Sequence, residues 1–170
     1  VMLLCIGAVP AGAASESILG TWSNAEKDAR IDVYPCGERV CGKIVWLLKP
    51  NFAEGAPDGL AGTPKRDLNN PDPALRSHPI VGLEIVKGFR PEGDGVWAGG
   101  TVYDPKNGKT YKGKMKLVSP DRLDLRGYIG ISLIGRTTTW TRVAETASQG
   151  TGEKRVEYGS KTVPASPSAQ

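Results

Sequence analysis

The chain has 170 residues, which is enough for one domain with a substantial core and too few for two of ordinary size. Its 22 Lys and Arg residues outnumber its 18 Asp and Glu residues by a formal net charge of only +4, and the basic residues are dispersed along the chain. Because nucleic-acid binding normally needs a clustered basic surface, the composition disfavours a nucleic-acid partner.

The first nine residues are apolar and uncharged, and small residues follow at positions 11–14. This order is typical of the hydrophobic region and cleavage site of a signal peptide, so residues 1–14 are interpreted as the remnant of one. The rest of the sequence contains no segment that is long and apolar enough to span a membrane. The prediction is an exported protein without a membrane span.

Between residues 15 and 143, short apolar and aromatic segments alternate with Gly, Pro, Asn and Asp, a pattern typical of all-β proteins. The clearest strand is 111–117, in which Tyr111, Met115 and Leu117 share one face and three lysines share the other. Eight strands are predicted, at 18–23, 30–34, 42–48, 81–89, 96–103, 111–117, 123–129 and 136–143.

Consecutive antiparallel strands hide their edges either by closing into a barrel or by stacking as two sheets. We therefore predict one all-β domain over residues 15–143, a closed antiparallel up-and-down barrel of about eight strands, with a two-sheet sandwich as the alternative. The proline-rich segment 49–79 predicts an ordered, lid-like loop. Residues 144–170 lose the alternation and are predicted to form a disordered tail.

Two cysteines are expected in the mature protein, because removal of a signal peptide would remove Cys5. Cys36 and Cys41 flank four residues between two predicted strands, so they can face each other across a hairpin. We predict a disulfide that stabilises this hairpin by about 2 kcal/mol. His78 is the only histidine, so neither a metal site nor a cofactor is predicted.

The sequence contains no recognisable catalytic constellation. Ser132 lies between Gly130 and Gly135, but this glycine spacing differs from that of a nucleophile elbow. His78 has no Ser, Cys or carboxylate at an interpretable motif spacing. We expect a protein that is not an enzyme, although a site assembled from distant strands would escape this inspection.

Motifs along most of the mature chain resemble a bacterial family catalogued as domain of unknown function 2147. The segments that carry the resemblance are 20–22 (GTW), Cys36 with 41–47 (CGKIVWL), 70–73 (NPDP), 100–105 (GTVYDP), 108–111 (GKTY), 126–130 (RGYIG) and 140–142 (WTR). The resemblance implies a bacterial protein that is periplasmic or secreted, with a fold similar to the lipocalins. It implies no particular activity.

In lipocalin-like folds, the tryptophan of the opening Gly-x-Trp motif is covered by an arginine from the last strand. The resemblance therefore implies that Trp22 packs against either Arg136 or Arg142, a cation–π contact worth about 1 kcal/mol. This pairing would join the first and last strands where the barrel closes. A ligand-facing role for some of the arginines near the end of the chain is the alternative.

The leading functional hypothesis is that the barrel binds a small apolar or amphipathic molecule beneath the loop 49–79. Trp46, Trp97 and Tyr103 are candidate contacts, because aromatic-lined cavities with a few polar groups are the usual form of such sites. Arg126 and Tyr128 are further candidates. The alternative is an envelope interaction module, in which a solid barrel binds a protein or cell-wall partner.

Whether Arg126 and Tyr128 reach a ligand depends on which face of their strand points inward. They alternate with Leu123 and Leu125, so the two pairs lie on opposite faces. The sequence leaves both orientations open, and it does not predict an oligomeric state.

Overall fold

Eight strands form where the alternating pattern predicts them. The computed structural model describes residues 17–131 and 133–144. The predicted signal remnant 1–14, Ser132 and all but the first residue of the predicted tail lie outside the described residues. The strands are β1 (Gly20–Ser23), β2 (Ala29–Cys36), β3 (Arg39–Leu47), β4 (Glu84–Gly93), β5 (Val96–Asp104), β6 (Lys109–Ser119), β7 (Arg122–Tyr128) and β8 (Gly135–Arg142).

Each strand pairs antiparallel with the next, and the sheet closes where β1 pairs with β8 through Trp22 opposite Arg142. The predicted barrel is thus confirmed, and the sandwich alternative is not adopted. Closure pairs the first strand with the last and so reduces the sheet edge that could pair with other chains, although this ladder contains only Trp22 opposite Arg142 and Ser23 opposite Thr141. A single turn of 3₁₀ helix, Pro73–Leu75, lies in the long β3–β4 connection. None of the helical structure in the described chain is long and apolar enough to cross a membrane.

The up-and-down path gives the barrel two different ends. At the closed end, β2–β3, β4–β5 and β6–β7 are joined by two-residue turns at 37–38, 94–95 and 120–121. At the open end, β1–β2, β3–β4, β5–β6 and β7–β8 are joined by longer connections at 24–28, 48–83, 105–108 and 129–134. The open end therefore carries most of the irregular chain, which is where binding residues are usually found.

The interior of the closed end is filled by large apolar side chains. Trp22, Phe89, Met115 and Leu123 have no exposed surface. Gly113 faces the Phe89 ring and leaves room for it. A β-carbon at Gly113 would lie only 2.4 Å from the ring. Large buried side chains thus fill the interior of this half of the barrel.

Arg142 holds the closing strands together at this end. Its guanidinium lies 4.2 Å from the centroid of the Trp22 ring, and it donates hydrogen bonds to the carbonyl oxygens of Ser17, Leu19 and Pro120. The structure thus selects Arg142 from the two predicted partners of Trp22. Arg136 lies at the opposite end of β8, so a role for it in this contact is wrong.

The predicted disulfide is present at the same end of the barrel. Cys36 and Cys41 are bonded, and their Cα atoms lie 5.8 Å apart across the β2–β3 turn. They are offset by two residues in the ladder, where Tyr34 opposes Cys41 and Cys36 opposes Arg39. The bond closes a short loop, so it constrains the hairpin and not the whole fold.

Candidate ligand-binding cavity

A cavity of about 780 Å³ occupies the open half of the barrel. This is within the range of pockets that bind drug-sized molecules, roughly 300–1,000 Å³. The strands contribute an apolar floor and wall, formed by the inward-facing residues Ala29, Ile31, Ile44, Leu47, Ile85, Val102, Leu125 and Trp140. On β2, β7 and β8 these residues alternate with exposed or half-buried outward-facing ones, as the two-residue period of a strand predicts, whereas Ile85 on β4 is followed by the buried Val86.

The long β3–β4 connection forms one wall of the cavity through Phe52, Lys65 and Arg66. Two isolated bridges brace it, Asn51 with Pro64 and Arg66 with Pro79. The predicted lid-like loop 49–79 is thus an ordered segment that lies at the mouth of the barrel.

A buried carboxylate attaches this loop to the barrel. Asp67 has no exposed surface, and its two carboxylate oxygens accept hydrogen bonds from the Tyr103 hydroxyl at 2.7 Å and the Asn70 amide at 2.7 Å. Burial, followed by the hydrogen bond to Asp67, raises the pKa of Tyr103 to about 12. A buried carboxylate is tolerated only when its oxygens are satisfied, so the phenol and the amide fix the position of the loop.

A second attachment joins the loop to the β5–β6 turn. The Asn69 amide donates to the carbonyl oxygens of Pro105 and Lys106, each at 3.1 Å. The turn approaches so closely that a β-carbon at Gly108 would lie 1.9 Å from the Asn69 carbonyl oxygen. Gly108 also has a φ of +70°, so both backbone conformation and space favour glycine at this position.

An ion pair spans the mouth of the cavity between the β1–β2 and β5–β6 connections. The Lys106 ammonium lies 3.0 Å from one Asp28 oxygen, and the Asn24 amide donates to the other at 2.6 Å. Burial opposes ionisation of Asp28, but the hydrogen bonds from Asn24 and Lys106 outweigh it and lower the pKa of Asp28. The hydrogen bond to Asp28 raises the pKa of Lys106, so both groups are charged at neutral pH.

The remaining charges at the mouth are mainly positive. Besides the Asp28–Lys106 pair, the lining includes four cations, Lys49, Lys65, Arg66 and Arg136, and two carboxylates, Glu26 and Asp104. Arg136 has an exposed side chain on the inner face of β8, and its guanidinium has no hydrogen-bond or ion-pair partner within the described part of the chain. The cavity thus combines an apolar floor with a mouth that can accept an anionic group.

The five predicted ligand contacts are distributed over different parts of the molecule. Tyr103 lines the cavity. Trp46 does not, because a bulge in the β2–β3 ladder places it opposite Arg30, whose guanidinium lies 4.7 Å from its ring centroid. Trp97 packs against the core beside Met115, nearer the closed end, and is also absent from the lining.

Arg126 and Tyr128 lie on the outer face of β7. Leu123 and Leu125 are the buried residues of this strand, so the alternation turns Arg126 and Tyr128 away from the interior. Arg126 donates hydrogen bonds to the Thr137 hydroxyl and the Leu133 carbonyl. Their predicted contact with a ligand inside the barrel is therefore corrected, although Gly127 between them does line the cavity.

The sequence interpretation missed most of the residues that build the site. Arg136 shares the inner face of β8 with Thr138 and Trp140, and the two-residue period of the strand could have revealed this. Phe52 and Lys65 come from irregular chain, for which no comparable periodic signal exists. No group of three or more His, Cys, Asp or Glu side chains that could hold a metal ion occurs within residues 17–131 and 133–144.

An eight-stranded up-and-down barrel with a cavity at one end is the architecture of lipocalin-like proteins. A family profile described as an uncharacterized protein conserved in bacteria, domain of unknown function 2147, matches residues 20–142. The chain belongs to this family, as the motifs in the sequence indicated.

A solved structure supports the assignment of the fold. Protein HP1028 from the human pathogen Helicobacter pylori, described as belonging to the lipocalin family, is similar to this chain with a TM-score of 0.64 and 20% sequence identity. The similarity covers 76% of this chain and 84% of that protein. At this identity the likeness establishes the fold alone. No curated protein matches the sequence.

Proposed function

We propose that this protein is a non-catalytic carrier of a small amphipathic molecule in the bacterial cell envelope. The apolar part of the ligand would lie against the aliphatic floor, and an anionic group would lie at the mouth. The observation that carries the proposal is the cavity of about 780 Å³, whose apolar floor meets a mouth with four cations beyond the Asp28–Lys106 pair.

The contrast between the two halves of the barrel supports a binding role. The closed half is packed with aromatic and aliphatic side chains, whereas the open half encloses a cavity beside a loop held at a fixed position. Apolar lining with a few polar groups at one side is the usual composition of a small-molecule site. A barrel filled throughout would fit the rival hypothesis of a solid interaction module better.

The polar groups at the mouth support binding over catalysis. Asp67 is occupied by Tyr103 and Asn70, and Asp28 is occupied by Asn24 and Lys106. These groups hold loops in place. The envelope location is supported by the Cys36–Cys41 disulfide, which persists in oxidising compartments, and by the signal-like composition of residues 1–14.

The test compares three single-chain amphiphiles of equal length, dodecanoate, dodecanol and dodecylammonium, by their displacement of a fluorescent anilinonaphthalene sulfonate. We expect dodecanoate to compete best. Arg136→Gln should weaken dodecanoate about tenfold and leave dodecanol unchanged, because the lost interaction is with the anionic group. Equal effects on dodecanoate and dodecanol would contradict a role for Arg136 in charge recognition.

Two neighbouring positions on β8 provide a matched pair of variants that test whether the ligand binds inside the cavity. Thr138 lines the cavity and Thr137 is exposed on the outer face. Thr138→Trp should abolish dodecanoate binding by filling the cavity, whereas Thr137→Trp should retain it. If both variants bind as the parent does, the cavity is not the binding site.

A further inference from the structure

The β7–β8 turn exposes four large apolar side chains beside the mouth of the cavity. Ile129, Ile131, Leu133 and Ile134 are 64%, 61%, 84% and 74% exposed, respectively. Isolated exposed apolar residues are common on protein surfaces, but four within six residues of one turn are an unusual local concentration. The folded chain leaves this turn without apolar cover from the described residues.

This exposure is greatest at one end of the barrel, since Leu19 and Val118 near the closed end are only 37% and 47% exposed. Leu48, which is 58% exposed, also lies at the open end, immediately after β3. The closed-end turns are polar instead, with Gly-Glu at 37–38, Asp-Gly at 94–95 and Pro-Asp at 120–121.

The strands that carry the apolar turn are strongly basic near it. The open-end segments 109–114, 125–128 and 135–139 of β6, β7 and β8 contain five cations, Lys109, Lys112, Lys114, Arg126 and Arg136, and no carboxylate. Lys114 is 3.9 Å from Glu92 on β4 and therefore partly neutralised, and the first carboxylate on β7 is Asp124, further from the turn. Apolar side chains surrounded by cations are complementary to an anionic lipid surface.

We propose that the β7–β8 turn docks the barrel onto an anionic membrane surface, with its four apolar side chains among the lipid headgroups. The side chains are all aliphatic, whereas the cores of protein–protein interfaces are enriched in aromatic residues. The surrounding basic residues would face lipid phosphates. In this orientation the mouth of the cavity faces the bilayer.

This inference goes beyond the proposed carrier function and does not depend on it. Docking needs only the exposed turn and its cations, while ligand binding needs the cavity, and apart from Arg136 the two sets of residues are different. If both hold, an amphipathic ligand could pass between the cavity and the lipid without crossing bulk water.

The test is flotation of the purified protein with two kinds of vesicle. One is phosphatidylethanolamine with a minor share of phosphatidylglycerol, and the other is phosphatidylcholine alone. The parent protein should float with the anionic vesicles and remain in solution with the neutral ones. Leu133→Ser combined with Ile134→Ser should reduce binding to anionic vesicles at least tenfold.

A control removes two apolar residues from the other end that are exposed to a lesser degree. Leu19 and Val118 are exposed near the closed end, so Leu19→Ser with Val118→Ser should leave vesicle binding within about twofold of the parent. Lys109→Gln with Lys112→Gln should weaken binding to anionic vesicles about tenfold, since each cation near an anionic surface contributes to binding. Thermal melting checks that each variant folds.

Three outcomes would overturn the proposal: no flotation of the parent, equal losses in the turn and control variants, or a larger assembly in sedimentation that the turn variant converts to monomer. The last result would identify a second copy of the chain as the occupant of the turn. Dodecanoate competition in the turn variant separates the two proposals, because it should match that of the parent even when vesicle binding is lost.

Discussion

The same eight strands enclose a filled interior at one end of the barrel and a cavity at the other. At the closed end, Trp22, Phe89 and Leu123 fill the interior and Arg142 binds three backbone carbonyls. At the open end, the interior remains a cavity, and a long connection is fastened by the buried Asp67. The closed end thus supplies stability, which allows the open end to keep a binding volume.

The two halves also differ in where the side chains that donate hydrogen bonds to main-chain carbonyls are located. Arg142 at the closed end and Asn69 at the open end both donate to main-chain carbonyls, but Arg142 donates from a strand whose neighbours pack against the core, whereas Asn69 joins two loops. Contacts between loops have fewer apolar neighbours to support them, so the open end should be the less stable part of the molecule.

The largest expected difference comes from two leucines on the same face of β7. Leu123 is fully enclosed near the closed end, whereas Leu125 borders the cavity. Leu123→Ala should lower the free energy of unfolding by about 4 kcal/mol and Leu125→Ala by about 2 kcal/mol, because Leu125 already lacks packing partners on one side. Urea denaturation of both variants measures the difference.

Equal losses of unfolding free energy for the two variants would contradict the proposed difference between the ends, since they would mean that Leu125 is packed as tightly as Leu123. Dodecanoate competition gives an independent reading. Leu125→Ala should alter it by enlarging the cavity, and Leu123→Ala should not.

A second matched pair consists of two glycines that oppose each other in the β6–β7 ladder. A β-carbon at Gly113 would lie 2.4 Å from the Phe89 ring, while one at Gly127 would lie 3.5 Å from the Tyr111 β-carbon, an ordinary contact. Gly113→Ala should destabilise the protein by about 2–3 kcal/mol through overpacking. Gly127→Ala should change stability by less than about 0.5 kcal/mol or raise it slightly.

Thermal unfolding of the two alanine variants checks this prediction. Phe89→Leu should partly rescue Gly113→Ala, because the smaller side chain makes room for the added methyl group. Absence of any rescue would show that the cost arises elsewhere, and the account of a tightly filled closed end would fail.

The smallest effect concerns the attachment of the loop. The pKa of Tyr103 is raised to about 12, from an ordinary value of 10.0, by burial and then by the hydrogen bond to Asp67. A raised pKa in the folded state means that the bond stabilises the fold fully below pH 10 and is lost as pH rises from 10 to 12. Tyr103→Phe should cost about 1–2 kcal/mol near neutral pH and remove this part of the alkaline loss.

Hydrogen exchange across the connection 48–83 measures the loosening of the loop directly. Tyr34→Phe is the control, because Tyr34 bonds Glu84 outside the cavity, and this bond, followed by burial, also raises the pKa of Tyr34 to about 12. The control should alter the alkaline stability without increasing exchange in the loop. Increased exchange in both variants would contradict a specific role for Tyr103.

Much of the architecture could be predicted from local pattern. The alternation of Met115 and Leu117 with lysines gave the strand and its inner face, because side chains of a strand point to opposite sides in turn. The disulfide between Cys36 and Cys41 was also predictable from local sequence, because the two cysteines lie in one short segment that forms a hairpin.

The site was harder to predict, because it depends on where along the barrel each inward position lies. Trp46 and Trp97 are of a residue type that often contacts ligands. A bulge turns Trp46 outward, however, and Trp97 lies at a strand position nearer the closed end. Arg136 and Arg142 belong to the same strand and face, and only the five residues between them separate a role at the mouth from a role where the barrel closes.

By itself the sequence determined the strands, the alternation of their two faces, the disulfide hairpin and the family, because these follow from two-residue periodicity and short motifs. The tertiary structure alone decided that Arg142 covers Trp22, that Asp67 meets Tyr103 and that one half of the barrel is hollow. These features join residues that are distant along the chain, and their geometry depends on how all eight strands close.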